Sequence, residues 1–263
     1  MENNGEFNVQ TAIYLAAVCG QTYIQYENNQ QLFLVPTTYR VVGSFKAKVY
    51  GDIEETFGFL IESERAAILA FRGTSSATDW VTDLIAQQIV FKPANKRCLT
   101  HRGFTDVYMS AKQDIFRLLD TLPGNKPLFV TGHSLGGALA TLAALDIVTN
   151  RSHKQLIVYT FGAPRVGDPS FVRHYNKNVP VNFRIQNEYD IVPHLPPLVY
   201  QPPKSEKLYY YLHVKGEVKR SYRIGSVGGN HILSNYFVDL ASEDPGFASA
   251  MCAAPPGWCP VLI

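Results

Sequence analysis

Residues Leu128 to Asp146 constrain this chain more than any other stretch. They open with a short apolar run, Leu128-Phe129-Val130, of the kind that forms a buried parallel strand. The run passes through Gly132-His133-Ser134-Leu135-Gly136 into a long Ala/Leu segment of high helix propensity. A Gly-x-Ser-x-Gly match alone is a weak signal. Between a strand and a helix it predicts a nucleophile elbow, a turn tight enough to strain the serine backbone and to demand glycine two residues to either side. Such a turn also sets the Ser134 hydroxyl at a helix N-terminus, where free N–H groups favour developing negative charge.

Length and composition narrow the setting of that turn. The chain has 263 residues, enough for one large core or two small domains, with 46% apolar and 17% charged residues. A net charge of +2 without a basic block argues against a nucleic-acid partner; the densest basic run, Lys92 to Arg102, reads as a solvated loop. No apolar stretch reaches the roughly 18 to 20 residues a transmembrane helix needs. The polar, acidic start Met1 to Glu6 lacks the features of a signal peptide, which points to a cytoplasmic protein, or to an extracellular one whose leader has been removed. The cysteines have no metal-ligand spacing. Cys19 falls on the apolar face of a helix, Cys98 in a loop, and Cys252 and Cys259 bracket a short tail that could close as a disulfide in an oxidising compartment.

Taken in order, Val9 to Tyr26 reads as an amphipathic helix, and Val41 to Tyr50 with Thr56 to Ile61 as an antiparallel pair joined at Gly51-Asp52. Ala66 to Phe71 reads as a buried strand ending at Arg72-Gly73-Thr74, followed by a short helix over Thr78 to Ile85. Further elements are a helix from Phe104 to Leu122, strands over Leu156 to Phe161 and Val181 to Ile185, and a helix from Asp168-Pro169 to about Asn176. Leu208 to Lys215 and Glu217 to Arg223 look like a hairpin about Gly216, and His231 to Leu240 like a last helix. Alternating strands and helices imply a mostly parallel central sheet covered on both faces.

A serine hydroxyl needs a base, and the base needs an orienting group. On a parallel sheet these sit in loops at the carboxyl ends of strands. Asp146 lies deep in the helix leaving the elbow, and Asp168 precedes Pro169 as a helix N-cap, a sufficient structural role. Asp190 follows the Val181 to Ile185 strand with no helix to cap, so it is favoured as the acid; its structural alternative is an Asx-type turn. Among the histidines, His194 lies only four residues beyond Asp190 and His213 sits in an alternating strand pattern. His231 follows a flexible Gly-Gly-Asn turn and gives the chain order serine, acid, histidine; it is favoured as the base.

At this point the chain resembles the class 3 lipases, the fungal-type triacylglycerol lipases and their bacterial relatives. The segments that carry the likeness, in order, are Phe71 to Ser75, Asp79 to Leu84, His101 to Phe104, Thr131 to Gly137, Phe161 to Gly167, Asn187 to Pro197 and His231, spanning about Val9 to Phe237. The resemblance implies an α/β-hydrolase fold in a single domain and a Ser134, Asp190, His231 triad. It implies an oxyanion hole from Leu135 and Thr74, and a lid over about residues 75 to 86. The residues themselves make that lid amphipathic, with Trp80, Val81, Leu84 and Ile85 on one side. Leu195, Leu198 and Val199 would line an acyl pocket, with His133 grouped among the substrate-side residues. The activity implied is hydrolysis of acylglycerol esters through an acyl-serine, with neither metal nor cofactor and with transient contact between lid and lipid surface. Two rival readings use the same residues differently: an esterase for soluble, feruloyl or phospholipid esters, and a non-catalytic lipid-binding module. The chain departs from the fungal enzymes in lacking their several disulfides and in its Cys252 to Ile263 tail, to which no role is assigned.

Overall fold

The computed structural model describes residues 5–28, 32–49, 53–74, 86–124, 126–151, 155–203 and 205–260. Helix α1 (Val9–Glu27) begins where the Asn8 side chain accepts the Thr11 N–H at 2.8 Å. Strands β1 (Arg40–Lys48) and β2 (Glu54–Glu62) form the expected antiparallel pair, and β3 (Ala67–Phe71) adds to β2 antiparallel. The expected lid residues Trp80, Val81, Leu84 and Ile85 lie outside the described residues. The chain resumes at the buried Ala86 and makes a two-stranded ribbon from β4 (Gln88–Val90) and β5 (Leu99–His101).

Helix α2 (Arg102–Leu119) leads to β6 (Leu128–His133), α3 (Leu135–Asn150), β7 (Leu156–Phe161), α4 (Pro169–Asn178) and β8 (Val181–Asn187). Two short strands, β9 (Val199–Tyr200) and β10 (Tyr209–Tyr210), pair with each other, and β11 (Glu217–Arg220) returns to the main sheet. Helices α5 (Leu233–Ala241) and α6 (Pro245–Cys252) follow. The main sheet has the order β1-β2-β3-β6-β7-β8-β11, and every pairing from β3 onward is parallel.

Each face of the sheet carries its own core. Leu69, Phe71, Leu128, Val130 and Val158 point toward α2, α3 and α4, while Ile68, Ala70, Phe129, Ile157 and Tyr159 point toward α1, α5 and α6. Burial on both faces explains why β3, β6 and β7 read as continuous apolar runs rather than alternating ones. It also explains α3, whose residues Leu135 to Ile147 are all buried: an Ala-rich helix lies close to the sheet without needing an amphipathic pattern.

Three expectations need correction. Leu208–Lys215 and Glu217–Arg223 do not form a hairpin. β10 pairs with β9, and β11 lies parallel to β8, with Arg220 opposite Asn187, because the sheet edge at β8 offers an unpaired strand while Gly216 merely turns the chain. The basic run 92–102 does expose Lys92, Lys96, Arg97 and Arg102, but it is not a plain loop: Pro93, Ala94 and Cys98 are buried and Leu99–His101 forms β5. The helix expected to be last begins at Leu233, not His231, and is followed by α6; His231 closes a separate 3-10 turn from Gly229.

Cys252 and Cys259 are joined in a disulfide. The loop they close drives Trp258 into the core against Tyr14, and the buried Gln21 amide donates to the Trp258 carbonyl at 2.8 Å. Among the described residues, no helix is long and apolar enough to cross a membrane.

Two stability predictions follow from buried polar groups. Asp146, fully buried on α3, accepts the Tyr108 hydroxyl at 2.7 Å, the Asn150 amide at 2.8 Å and Lys112 Nζ at 2.8 Å. Lys112→Met leaves that charge without its counter-ion and should cost about 2 kcal/mol in urea unfolding, less than a fully dry pair because Lys112 is partly exposed. Burial also holds His101 and His213 down to about 3. Below the ordinary histidine pKa of about 6.5 the unfolded chain therefore binds protons that the folded chain refuses, so stability is greatest above that pH and falls below it, by up to about 1.4 kcal/mol per pH unit for each group. Urea midpoints at pH 7.5 and 5.5 should drop accordingly, and His101→Asn, which can still cap α2, should make the drop shallower.

Candidate active site

The β6–α3 turn is as sharp as its sequence requires. Ser134 has φ 58° and ψ −127°; among the described residues only Asn95 is another non-glycine at positive φ. Such a conformation costs on the order of 1–3 kcal/mol and persists only where its surroundings dictate it. Here a Cβ on Gly132 would lie 2.2 Å from the Gly136 carbonyl oxygen, and one on Gly136 would lie 2.3 Å from that of Phe71. The serine backbone is held on both sides, its N–H donating to Phe161 O at 2.9 Å and its carbonyl accepting Gly137 N–H at 2.9 Å. Leu135 is the first residue of α3, so its N–H has no acceptor within the helix.

The strand register places the other groups around this turn. Phe71 lies opposite Gly132, Phe161 opposite His133, and Ile185 opposite Phe161, so the loops leaving β3, β6, β7 and β8 emerge side by side. The β3 loop carries Thr74 and the β8 loop Asp190. Asp190 is fully buried and its two oxygens serve different partners. Oδ1 accepts Val192 N–H at 2.9 Å, the Asx turn, while Oδ2 accepts His231 Nδ1–H at 2.6 Å and the Tyr236 hydroxyl at 2.7 Å. The Asx turn and the contact with His231 are thus made by different oxygens of the same carboxylate. Tyr236 in turn accepts Asn187 N–H at 3.0 Å, tying the carboxylate to the end of β8.

With Nδ1–H committed to Asp190, a neutral His231 carries its lone pair on Nε2. That atom, the Ser134 hydroxyl and the Thr74 hydroxyl are all buried and all without a hydrogen-bond partner among the described residues. Buried polar atoms are seldom left so, and unpaired ones call for an explanation. A base lone pair, a serine hydroxyl and a donor at a strand end are the groups that attack on a carbonyl would engage.

The remaining assigned residues divide. Asp168 caps α4, accepting Phe171 N–H at 2.7 Å, and His194 is exposed with its carbonyl bound by Arg165, so neither joins the cluster. His133, grouped with the substrate-side residues in the sequence, has both ring nitrogens engaged within the protein, Nδ1 by the Tyr23 hydroxyl at 2.7 Å and Nε2 by the His231 carbonyl at 2.8 Å. Leu195 is half-buried, whereas Leu198 and Val199 are 55% and 50% exposed on the β9–β10 ribbon, so the described residues build no closed acyl pocket from them. Their neighbours Gln201 to Pro203, Ser205 and Glu206 line a surface cavity of about 500 Å³. Tyr23 and Tyr236 went unassigned because a tyrosine at helical spacing reads as core. Gly162 also lacked a signal; it adopts φ 55°, and a Cβ there would lie 2.9 Å from Asp190 Oδ2 and 3.1 Å from His231 Cε1. Among the described residues, no group of three or more His, Cys, Asp or Glu side chains is placed to hold a metal ion.

Comparison with known proteins places the chain among the lipases. The sequence pattern of the family described as lipase (class 3) matches residues 68–200. The chain is similar to a lipase of Rhizomucor miehei, 40% identical over 147 residues, which cover 53% of this chain and 40% of the relative. It is also similar to phospholipase A1-II 1 of rice, 35% identical over 167 residues that cover 54% of this chain and 42% of the relative. The matched part thus spans about two fifths of the length of these relatives. Among solved structures, a triacylglycerol lipase whose catalytic centre is formed by a serine protease triad superposes with a TM-score of 0.62 at 28% identity, covering 72% of this chain and 74% of the other. The fold is that of the α/β-hydrolases, with its mostly parallel sheet flanked by helices.

Gly162→Ala tests the contact between β7 and the Asp190–His231 pair. The added methyl is strained by its positive φ and meets both side chains, so labelling of Ser134 by an organophosphonate should slow about tenfold or more. Unfolding should cost about 1–2 kcal/mol more easily reached in urea than for the native chain.

Proposed function

The chain belongs to the class 3 lipase family, and from that premise we propose that it is a serine carboxylester hydrolase that cleaves acylglycerols to free fatty acids. The observation that carries this reading is the set of three buried atoms without a hydrogen-bond partner among the described residues, Ser134 Oγ, His231 Nε2 and Thr74 Oγ1, together with an Asp190–His231 hydrogen bond of 2.6 Å.

In this mechanism His231 Nε2 takes the Ser134 proton as Oγ attacks the ester carbonyl carbon. The carbonyl oxygen becomes an alkoxide, bound by the N–H groups of Leu135 and Thr74 and by the Thr74 hydroxyl. Asp190 keeps Nδ1–H in place and stabilises the imidazolium, and its own position rests on Tyr236 and Val192 N–H. The tetrahedral intermediate collapses, the C–O bond to glycerol breaks, and His231 returns its proton to the leaving oxygen. Water, deprotonated by the same nitrogen, then attacks the acyl carbon, the bond to Ser134 Oγ breaks, His231 returns its proton to Oγ, and the fatty acid departs. Loss of one oxyanion donor costs on the order of 10²- to 10³-fold in other enzymes.

The same reading takes the chain as one catalytic domain, with residues 75–86 as a lid. The amphipathic placing of Trp80, Val81, Leu84 and Ile85 supports it, and so does the anchoring of its far end, where the Tyr211 hydroxyl donates to the Ala86 carbonyl at 2.9 Å. A second reading, hydrolysis of phospholipid esters, draws on the likeness to the rice phospholipase A1.

Ser134→Ala should abolish hydrolysis of emulsified long-chain acylglycerol without unfolding the protein; retention of native activity would refute the proposal. Asp190→Asn and His231→Ala should each lower kcat by about 10⁴-fold, while Asp168→Asn should leave it near the native value. A mobile apolar lid further entails that the rate on a medium-chain ester jumps as its concentration crosses the solubility limit. Comparing emulsified acylglycerol with phospholipid vesicles separates the two substrates.

A further inference from the structure

The mechanism leaves a second buried histidine beside the base without a task. His133 is 4% exposed, and its ring centroid lies 4.7 Å from that of His231. Its Nε2 is 2.8 Å from the His231 backbone carbonyl. A carbonyl oxygen can only accept, so this nitrogen carries the proton. Burial, and next the proximity of His231, hold His133 well below the ordinary histidine range, so the ring is neutral and Nδ1 bears a lone pair. The Tyr23 oxygen lies 2.7 Å from that lone pair. Burial raises the Tyr23 pKa, so the phenol keeps its proton and donates it. The hydrogen bonds therefore run in one direction, from Tyr23 O–H to His133 Nδ1 and from His133 Nε2–H to the His231 carbonyl.

This chain of donors reaches the base at a point that Asp190 does not control. Asp190 holds the imidazole of His231 by Nδ1, but the backbone of His231 belongs to a short 3-10 turn that follows the exposed stretch Arg223 to Gly228. A ring pinned at one nitrogen can still move if its own backbone shifts. Tyr23 comes from α1, which is packed on the sheet along its length, and so supplies a rigid reference. Its hydroxyl also abuts the turn that leads to Thr74: a Cβ on Gly73 would fall 2.1 Å from it. One phenol thus touches the loop before Thr74, the residue before the nucleophile and, through that residue, the base.

Resting on the proposed esterase mechanism, we infer that Tyr23 and His133 are positioning residues that fix the backbone of His231 so that Nε2 stays directed at the Ser134 hydroxyl. Neither touches the substrate. The pair sets the rate of proton transfer and leaves substrate binding alone.

The test is steady-state kinetics on a soluble short-chain ester, with melting temperatures measured alongside. Tyr23→Phe should lower kcat about tenfold, with KM within about twofold. His133→Leu, which removes the donor to the His231 carbonyl, should lower kcat at least as much, and His133→Gln, which restores a donor at the same reach, should recover most of the loss. Because the two residues act in series, Tyr23→Phe combined with His133→Leu should be no slower than His133→Leu alone. Native kcat in Tyr23→Phe, or multiplied losses in the double variant, would overturn the inference. So would a His133→Gln no better than His133→Leu. If His133→Leu does not fold, the Tyr23→Phe and His133→Gln results decide alone. Native activity that survives Ser134→Ala would instead count against the esterase mechanism and leave the Tyr23–His133 geometry in place.

Discussion

The backbone at Ser134 is held at φ 58° and ψ −127° by contacts that leave it no alternative, and the rest of the site is arranged around that turn. Gly132 and Gly136 approach the neighbouring backbone more closely than any Cβ would allow, and α3, buried from Leu135 to Ile147, fixes the exit direction of the chain. Relaxing the turn would swing the hydroxyl away from the ends of β3 and β8. The cost of the strained conformation, on the order of 1–3 kcal/mol, is offset by the packing of β6 and α3 in the middle of the molecule. That is why Ser134 sits on a turn between a buried strand and a largely buried helix rather than on a surface loop.

Around this rigid centre the polar groups follow a division of labour. Asp190 uses one oxygen for its own turn and the other for His231 and Tyr236, so the carboxylate is held in place while it holds the His231 ring. Asp146, also fully buried and close in sequence to the nucleophile, has three partners of its own and serves only to join α2 to α3. The difference between the two aspartates lies in what surrounds them. Asp146 lies among groups that fully satisfy it, whereas Asp190 passes its interaction on to a histidine whose second nitrogen has no hydrogen-bond partner among the described residues.

Much of this was legible in the sequence, and the exceptions have physical causes. Strands buried on both faces, such as Leu156–Phe161, declare themselves as continuous apolar runs, and Asp168-Pro169 marks a helix start by capping chemistry alone. The pairing of β9 with β10 and of β11 with β8 was misread because a strand of two to four residues carries no information about its partner; the available sheet edge decides it. Ser134, Asp190 and His231 could be nominated from chain order and loop position. Tyr23, His133 and Tyr236 could not be given their contacts, because a buried aromatic looks the same in sequence whether its polar atom is idle or bound. Leu198 and Val199, given to an acyl pocket by the resemblance, are half-exposed among the described residues, so their place in a pocket is not legible from the described residues alone.

The central claim is that Ser134 forms a covalent acyl intermediate in a site prepared by the turn beneath it. Rapid mixing with a long-chain p-nitrophenyl ester, acid quench within the first turnover and peptide mapping by mass spectrometry tests it directly. The account predicts the acyl mass on the peptide containing Ser134 and on no other, and its absence when Ser134 is replaced by alanine. Steady turnover with no acylated peptide, or with the acyl group on a different residue, would contradict it.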